Sequence, residues 1–92
     1  MTFKTTVVDK DGKPIQGVLA CANVENNGAT FMRSTDGAGF ADVAILGIVP
    51  VGSRVTFYVT DPEFRFKGKL MGDALVIGAD DQVIKVVLDP FV

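Results

Sequence analysis

Histidine and tryptophan are absent from this chain, and cysteine and tyrosine occur once each, as Cys21 and Tyr58. Without histidine there is no Ser-His-Asp or Cys-His catalytic set, and most catalytic zinc sites are excluded. A single cysteine forms no intrachain disulfide. Cys21 lies in an apolar segment with no neighbouring base, so it reads as a small buried hydrophobe rather than a nucleophile. Without tryptophan, a glycan platform would have to rest on Tyr58 alone. No apolar run nears the 18 residues of a membrane span, so no membrane partner is expected. The first residues, Met1 to Thr6, carry no apolar signal-peptide core, which leads to the expectation of a protein kept inside a cell or a module cut from a longer chain. No excess of positive charge exists either. Lys plus Arg total 9 against 11 Asp plus Glu, for a net charge of -2, so no nucleic-acid partner is expected. The glycine-containing loops match neither phosphate-cradle pattern, and no cofactor is expected.

What is present fits one small domain spanning 1–92, of which 48% is hydrophobic. Strand-forming segments alternate with short turn clusters throughout. Thr2 to Asp9 opens the chain, with Phe3, Thr5 and Val7 on one face. Val18 to Val24 is apolar on both faces and reads as a central strand. Glu25-Asn26-Asn27-Gly28 is a type I′ hairpin signal leading into Ala29 to Thr35. Thr35-Asp36-Gly37-Ala38-Gly39 reads as the turn of a central hairpin, with Phe40 to Ile45 as its second strand. Arg54 to Thr60 alternates most cleanly, with Val55, Phe57 and Val59 inward. Phe64 to Leu70 alternates again, placing Phe64, Phe66 and Leu70 opposite Arg65, Lys67 and Lys69. Met71-Gly72-Asp73 reads as a kink, Ala74 to Ile77 as a short apolar piece, and Gln82 to Asp89 as the last strand. No apolar stripe at helical spacing persists for ten residues. The expected fold is all-β: a single antiparallel β-sandwich of about seven strands.

Three motifs resemble one family in order. Val8-Asp9-Lys10-Asp11-Gly12-Lys13-Pro14-Ile15-Gln16-Gly17-Val18 is similar to the opening of carboxypeptidase-regulatory-like and Cna-B-type domains. Thr35 to Ala41 resembles their T-D-x-x-G signature, and Pro50-Val51-Gly52 followed by Arg54 to Phe57 resembles their P-x-G strand entry. The match covers residues 3 to 60 well, and the remainder by strand pattern only. The resemblance implies a prealbumin-like or immunoglobulin-like sandwich, a fold that hosts many functions. Some Cna-B-type domains also join a first-strand lysine to a last-strand Asn or Asp with the help of a buried acid. Lys4 and Asp89 stand in those strands here, but the acid's position falls near Val59, so Lys4 reads as a solvated lysine.

The loop carboxylates Asp9, Asp11, Asp36, Asp61, Asp80 and Asp81 read as turn caps, and no metal is expected. An enzyme using Asp61 and Glu63 has no spacing to pair them. The remaining candidates are contact surfaces. Arg65, Lys67 and Lys69 form a basic stripe, either a guarded sheet edge or a contact for an acidic partner. Leu46, Ile48, Val49 and Val51, with the tail Phe91 and Val92, either plug the sandwich ends or form an adhesive patch for another subunit. The expected function is therefore non-enzymatic: a structural or interaction module with protein partners and a possible homo-oligomer. The expected setting is an accessory decoration or fibre-type protein of a bacteriophage virion, made in the host cytoplasm. The alternative is a spacer or stalk repeat of a bacterial cell-surface adhesin.

Overall fold

A computed structural model describes residues 1–25, 28–46, 49–71 and 75–91. The described chain is all strand and loop, with no helix among the described residues. In order it forms β1 (Thr2–Asp9), β2 (Leu19–Val24), β3 (Thr30–Ser34), β4 (Phe40–Ala44), β5 (Arg54–Thr60), β6 (Lys69–Leu70), β7 (Leu75–Val76) and β8 (Gln82–Leu88). One sheet has the order β4-β1-β8 and the other β3-β2-β5-β6. β7 joins β6 along the same side of β5, Val55 pairing with Leu75 and Tyr58 with Leu70.

The two sheets face each other across a sandwich-like apolar core. Strict alternation fixes which side chains enter it. Phe3, Thr5 and Val7 from β1, Val55, Phe57 and Val59 from β5, and Ile84, Val86 and Leu88 from β8 are all buried, as their period of two requires. Phe3 and Phe57 meet edge-on at the centre, with ring centroids 5.7 Å apart. β2 is central, between β3 and β5, and Ala20, Ala22 and Val24 bring small side chains to the core.

Three expectations are corrected. The fold is not wholly antiparallel: β1 and β8 pair in parallel, from Phe3 opposite Gln82 to Asp9 opposite Leu88. The chain approaches β8 from β7, on the other sheet, so it can enter beside the start of β1 rather than its end. The Asp36 turn does not close a hairpin. β3 pairs with β2 and β4 with β1, so this turn carries the chain from one sheet to the other. A turn's local chemistry does not specify whether the next strand pairs back or crosses over. Phe64 to Leu70 is not one strand, because only Lys69–Leu70 is strand and residues 61–66 form a capped loop. The Asn26-Asn27 turn, the Gly72-Asp73 kink and Ala74 lie outside the described residues.

The molecule measures 39 × 20 × 19 Å, and its loops gather at two poles. β1 runs from the first pole to the second. The register of β4 and β5 then sorts the connections. Met1, Ile45, Leu46, Val49, Val51 and Ile77 to Ala79 share the first, apolar pole. The Asp9, Asp36 and Asp61 loops and Phe91 share the second, aspartate pole.

Candidate docking site

Three loops at the aspartate pole repeat one hydrogen-bond pattern. Asp9 Oδ1 accepts the backbone N–H of Asp11 at 2.9 Å and of Lys13 at 3.0 Å. Asp36 Oδ1 accepts from Ala38 at 2.9 Å and Phe40 at 3.0 Å. The Asp61 carboxylate accepts from Glu63 at 3.0 Å and Arg65 at 2.9 Å. In each loop the aspartate carbonyl also takes the N–H three residues on, from Gly12, Gly39 and Phe64 respectively. That third residue is left-handed every time, with φ of 82° at Gly12, 73° at Gly39 and 56° at Phe64. Glycine adopts this conformation freely, whereas a side chain with a Cβ does so at a cost of about 1–2 kcal/mol.

The first two loops lock together. Val7 donates to the Gly39 carbonyl at 2.7 Å, and Ile15 donates to Val7 at 3.0 Å. A Cβ on Gly39 would collide with the Val7 carbonyl oxygen and lie 3.0 Å from Pro14. The buried Thr35 hydroxyl ties the same junction, donating to the Ile15 carbonyl at 2.7 Å and accepting from Val18 at 3.2 Å. These contacts join the first two sequence motifs in space and hold the crossing between sheets.

The Asp61 loop is built differently. Its carboxylate is fully buried and faces Arg65, whose Nε lies 3.1 Å away. It also accepts the Phe66 N–H at 3.2 Å. Burial alone would raise its pKa, but the Glu63 N–H and the Arg65 side chain and N–H outweigh that, and the net direction is downward. Arg65 reaches further, with Nη2 donating to the Gln16 carbonyl at 2.9 Å. Its Nε also lies 3.1 Å from the exposed Glu63 carboxylate, and the guanidinium sits 5.9 Å from the Phe66 ring centre. Asp61 and Glu63 thus face one guanidinium, and both serve to hold the loop. Phe64, by contrast, presents its ring to solvent, 75% exposed. Phe91, 50% exposed, runs alongside, its N–H donating to the Arg65 carbonyl at 3.3 Å.

The expected contact residues divide between the poles. Leu46, Val49 and Val51 line a 160 Å³ pocket with Met1, Ile45 and Ile77 at the apolar pole. Val49 is buried and plugs that end, while Leu46 and Val51 are 59% and 70% exposed. Ile48 and Val92 lie outside the described residues. Arg65 and Phe91 sit at the aspartate pole, so among the described residues the loop run and Phe91 do not form one continuous surface. The basic stripe is also divided, because Arg65 is engaged inside its loop. Lys67 and Lys69 are exposed and stitch toward β8: the Lys67 N–H donates to the Asp89 carbonyl at 2.8 Å and Lys69 Nζ to the Val87 carbonyl at 3.3 Å.

Phe64 was missed as an exposed residue because the alternation with Phe66 imitates a strand. The sequence signal for its loop is Asp61-Pro62-Glu63, which reads as a turn, with Asp61 in the capping position that Asp9 and Asp36 also occupy. Lys4 stands opposite Val83 on β8, and Asp89 follows Leu88 at the far end of the strand. Lys4 instead pairs loosely with Asp81 at 3.9 Å, so the first-strand lysine and Asp89 are not juxtaposed. Cys21 is 2% exposed, and burial pushes its thiol above its ordinary pKa, with the Tyr58 hydroxyl offsetting only part. No protein-family model, curated protein or solved structure matches this chain.

Proposed function

We propose that this chain is a non-enzymatic interaction module that docks through its aspartate pole. We place it as an accessory decoration or fibre-type component of a bacteriophage particle. The observation that carries the docking role is Phe64. Its ring is exposed, its backbone is left-handed, and a loop whose buried aspartate accepts three backbone N–H groups holds it there. An exposed aromatic on a strained but over-determined backbone does nothing for folding, and such sites cluster where partners bind. The three turn motifs support an immunoglobulin-like or prealbumin-like sandwich, and the particle setting rests on analogy with small sandwiches of that kind.

One observation favours a spacer in a surface stalk. Parallel first and last strands put the two chain ends at opposite poles of a 39 Å body, as head-to-tail stacking of domains needs. The test is fractionation of the source strain after phage induction, followed by an antibody to this chain. Docking on particles expects the chain to copurify with intact virions, and expects Phe64→Gly to be lost from them while remaining folded. Recovery in the cell envelope within a longer polypeptide would overturn the particle reading in favour of the spacer.

A further inference from the structure

We infer that two copies of this chain pair edge to edge through β3, antiparallel about Met32, to make one continuous sheet across a dimer. The inference is independent of the docking role of Phe64, which sits in the loop after β5, with β2 between that strand and β3.

Every sheet here has two edges, and an open edge invites another strand unless something guards it. Three of the four edges are guarded. β4 carries Asp42 at its centre, so a second β4 laid antiparallel on it would oppose two carboxylates. β8 carries Lys85 at its centre, and its Val87 and Asp89 carbonyls already accept from Lys69 and Lys67. The remaining edge, along β5, is broken into two pieces of two residues each, β6 and β7, and β6 includes Lys69. β3 is different. Its centre is Met32, 55% exposed, and among the described residues it pairs only with β2.

The backbone of β3 is also set for pairing. Val24 donates to Ala29 at 2.8 Å and Thr35 to Val18 at 2.9 Å, so the odd-numbered residues of this ladder bond to β2. The N–H and C=O groups of Thr30, Met32 and Ser34 therefore point the other way, off the sheet edge. A two-fold axis through Met32 puts Thr30 opposite Ser34 of the second copy and Met32 opposite itself, all outward-bonding positions. The same axis sets Arg33 opposite Phe31 of the second copy, a cation beside a ring. Sliding the pairing to centre on Arg33 would oppose two guanidinium groups, and centring it on Phe31 would pair only Thr30 to Met32 within the strand, so charge and strand length together select the register. The occupant is thus a second copy rather than an unrelated strand, because the segment is complementary to itself in one register. On the outer face, the row Met32, Cys21, Tyr58 and Leu70 would run on into its copy.

Hydrogen exchange read amide by amide, with mass by light scattering over rising concentration, tests this. A dimer forming by roughly 1 mM, with the amides of Thr30, Met32 and Ser34 gaining protection as it forms, is the expected result. Met32→Lys should weaken association at least tenfold while the amides of Phe31 and Arg33 stay protected by β2, and Thr30→Lys should do the same from the flank. A chain that stays monomeric throughout, or a dimer in which the even-numbered amides exchange freely, would overturn the pairing. So would a dimer that survives both lysine variants, or protection of those amides only by a different protein.

Discussion

The Asp36 and Asp61 loops have the same hydrogen-bond skeleton and opposite surroundings. In both, an aspartate accepts N–H groups two and four residues on and sets the third residue left-handed. At Asp36 the third residue is Gly39, packed so tightly against Val7 and Pro14 that no side chain fits. At Asp61 it is Phe64, whose side chain stands in water. The aspartate that holds the joint is itself exposed, and the aspartate that holds the displayed ring is buried. One loop therefore serves the crossing between sheets, and the other fixes the position of an aromatic side chain that the core does not use.

Substitutions at matched positions sharpen that contrast. The largest effect is expected at Gly39→Ala, which combines a forbidden contact with a left-handed backbone. It should cost about 4 kcal/mol in urea unfolding, or prevent folding. Asp61→Ala comes next, at about 2 kcal/mol, because it removes the buried carboxylate that three part-buried N–H donors and the Arg65 side chain share, while Arg65 keeps Glu63 and the Gln16 carbonyl. Asp36→Ala, whose donors can turn to water, should cost about 1 kcal/mol in the same assay. Gly12→Ala, left-handed with open space around it, should also cost about 1 kcal/mol.

Acid probes the Asp61 loop directly. The Asp61 carboxyl has a lowered pKa in the folded chain, so below its ordinary value the unfolded chain binds the extra proton first. Stability from Asp61 is thus complete above the ordinary carboxylate range near about 4, and is lost as pH falls through the lower folded value. Acid titration of stability should show a shallower fall in Asp61→Asn than in the parent chain.

These loops also show what was legible beforehand. Asp9 to Gly12 and Asp36 to Gly39 carry glycine in the third position, and the turn chemistry could be read directly. Asp61-Pro62-Glu63-Phe64 follows the same geometry without that glycine, so the alternation of Phe64 and Phe66 imitated a strand. β5 and β8 were legible because each has one face in the core and an uninterrupted period of two, and β1 because it alternates as far as Val7, after which Val8 is buried as well. The crossing at Asp36 and the parallel pairing of β1 with β8 were not, because both depend on where distant strands lie. The apolar stretch from Leu46 to Val51 was legible as apolar but not as divided. Val49 faces the core, while Leu46 and Val51 face water.

The central claim, that the fold has no use for the Phe64 ring, is tested most directly by the unfolding free energy of Phe64→Gly. Glycine occupies the equivalent position in both sister loops and removes the left-handed strain. The variant is expected to match the parent chain or exceed it by up to about 1 kcal/mol. A loss of about 1 kcal/mol or more would show that the ring supports the fold, and would contradict its assignment as a displayed contact residue.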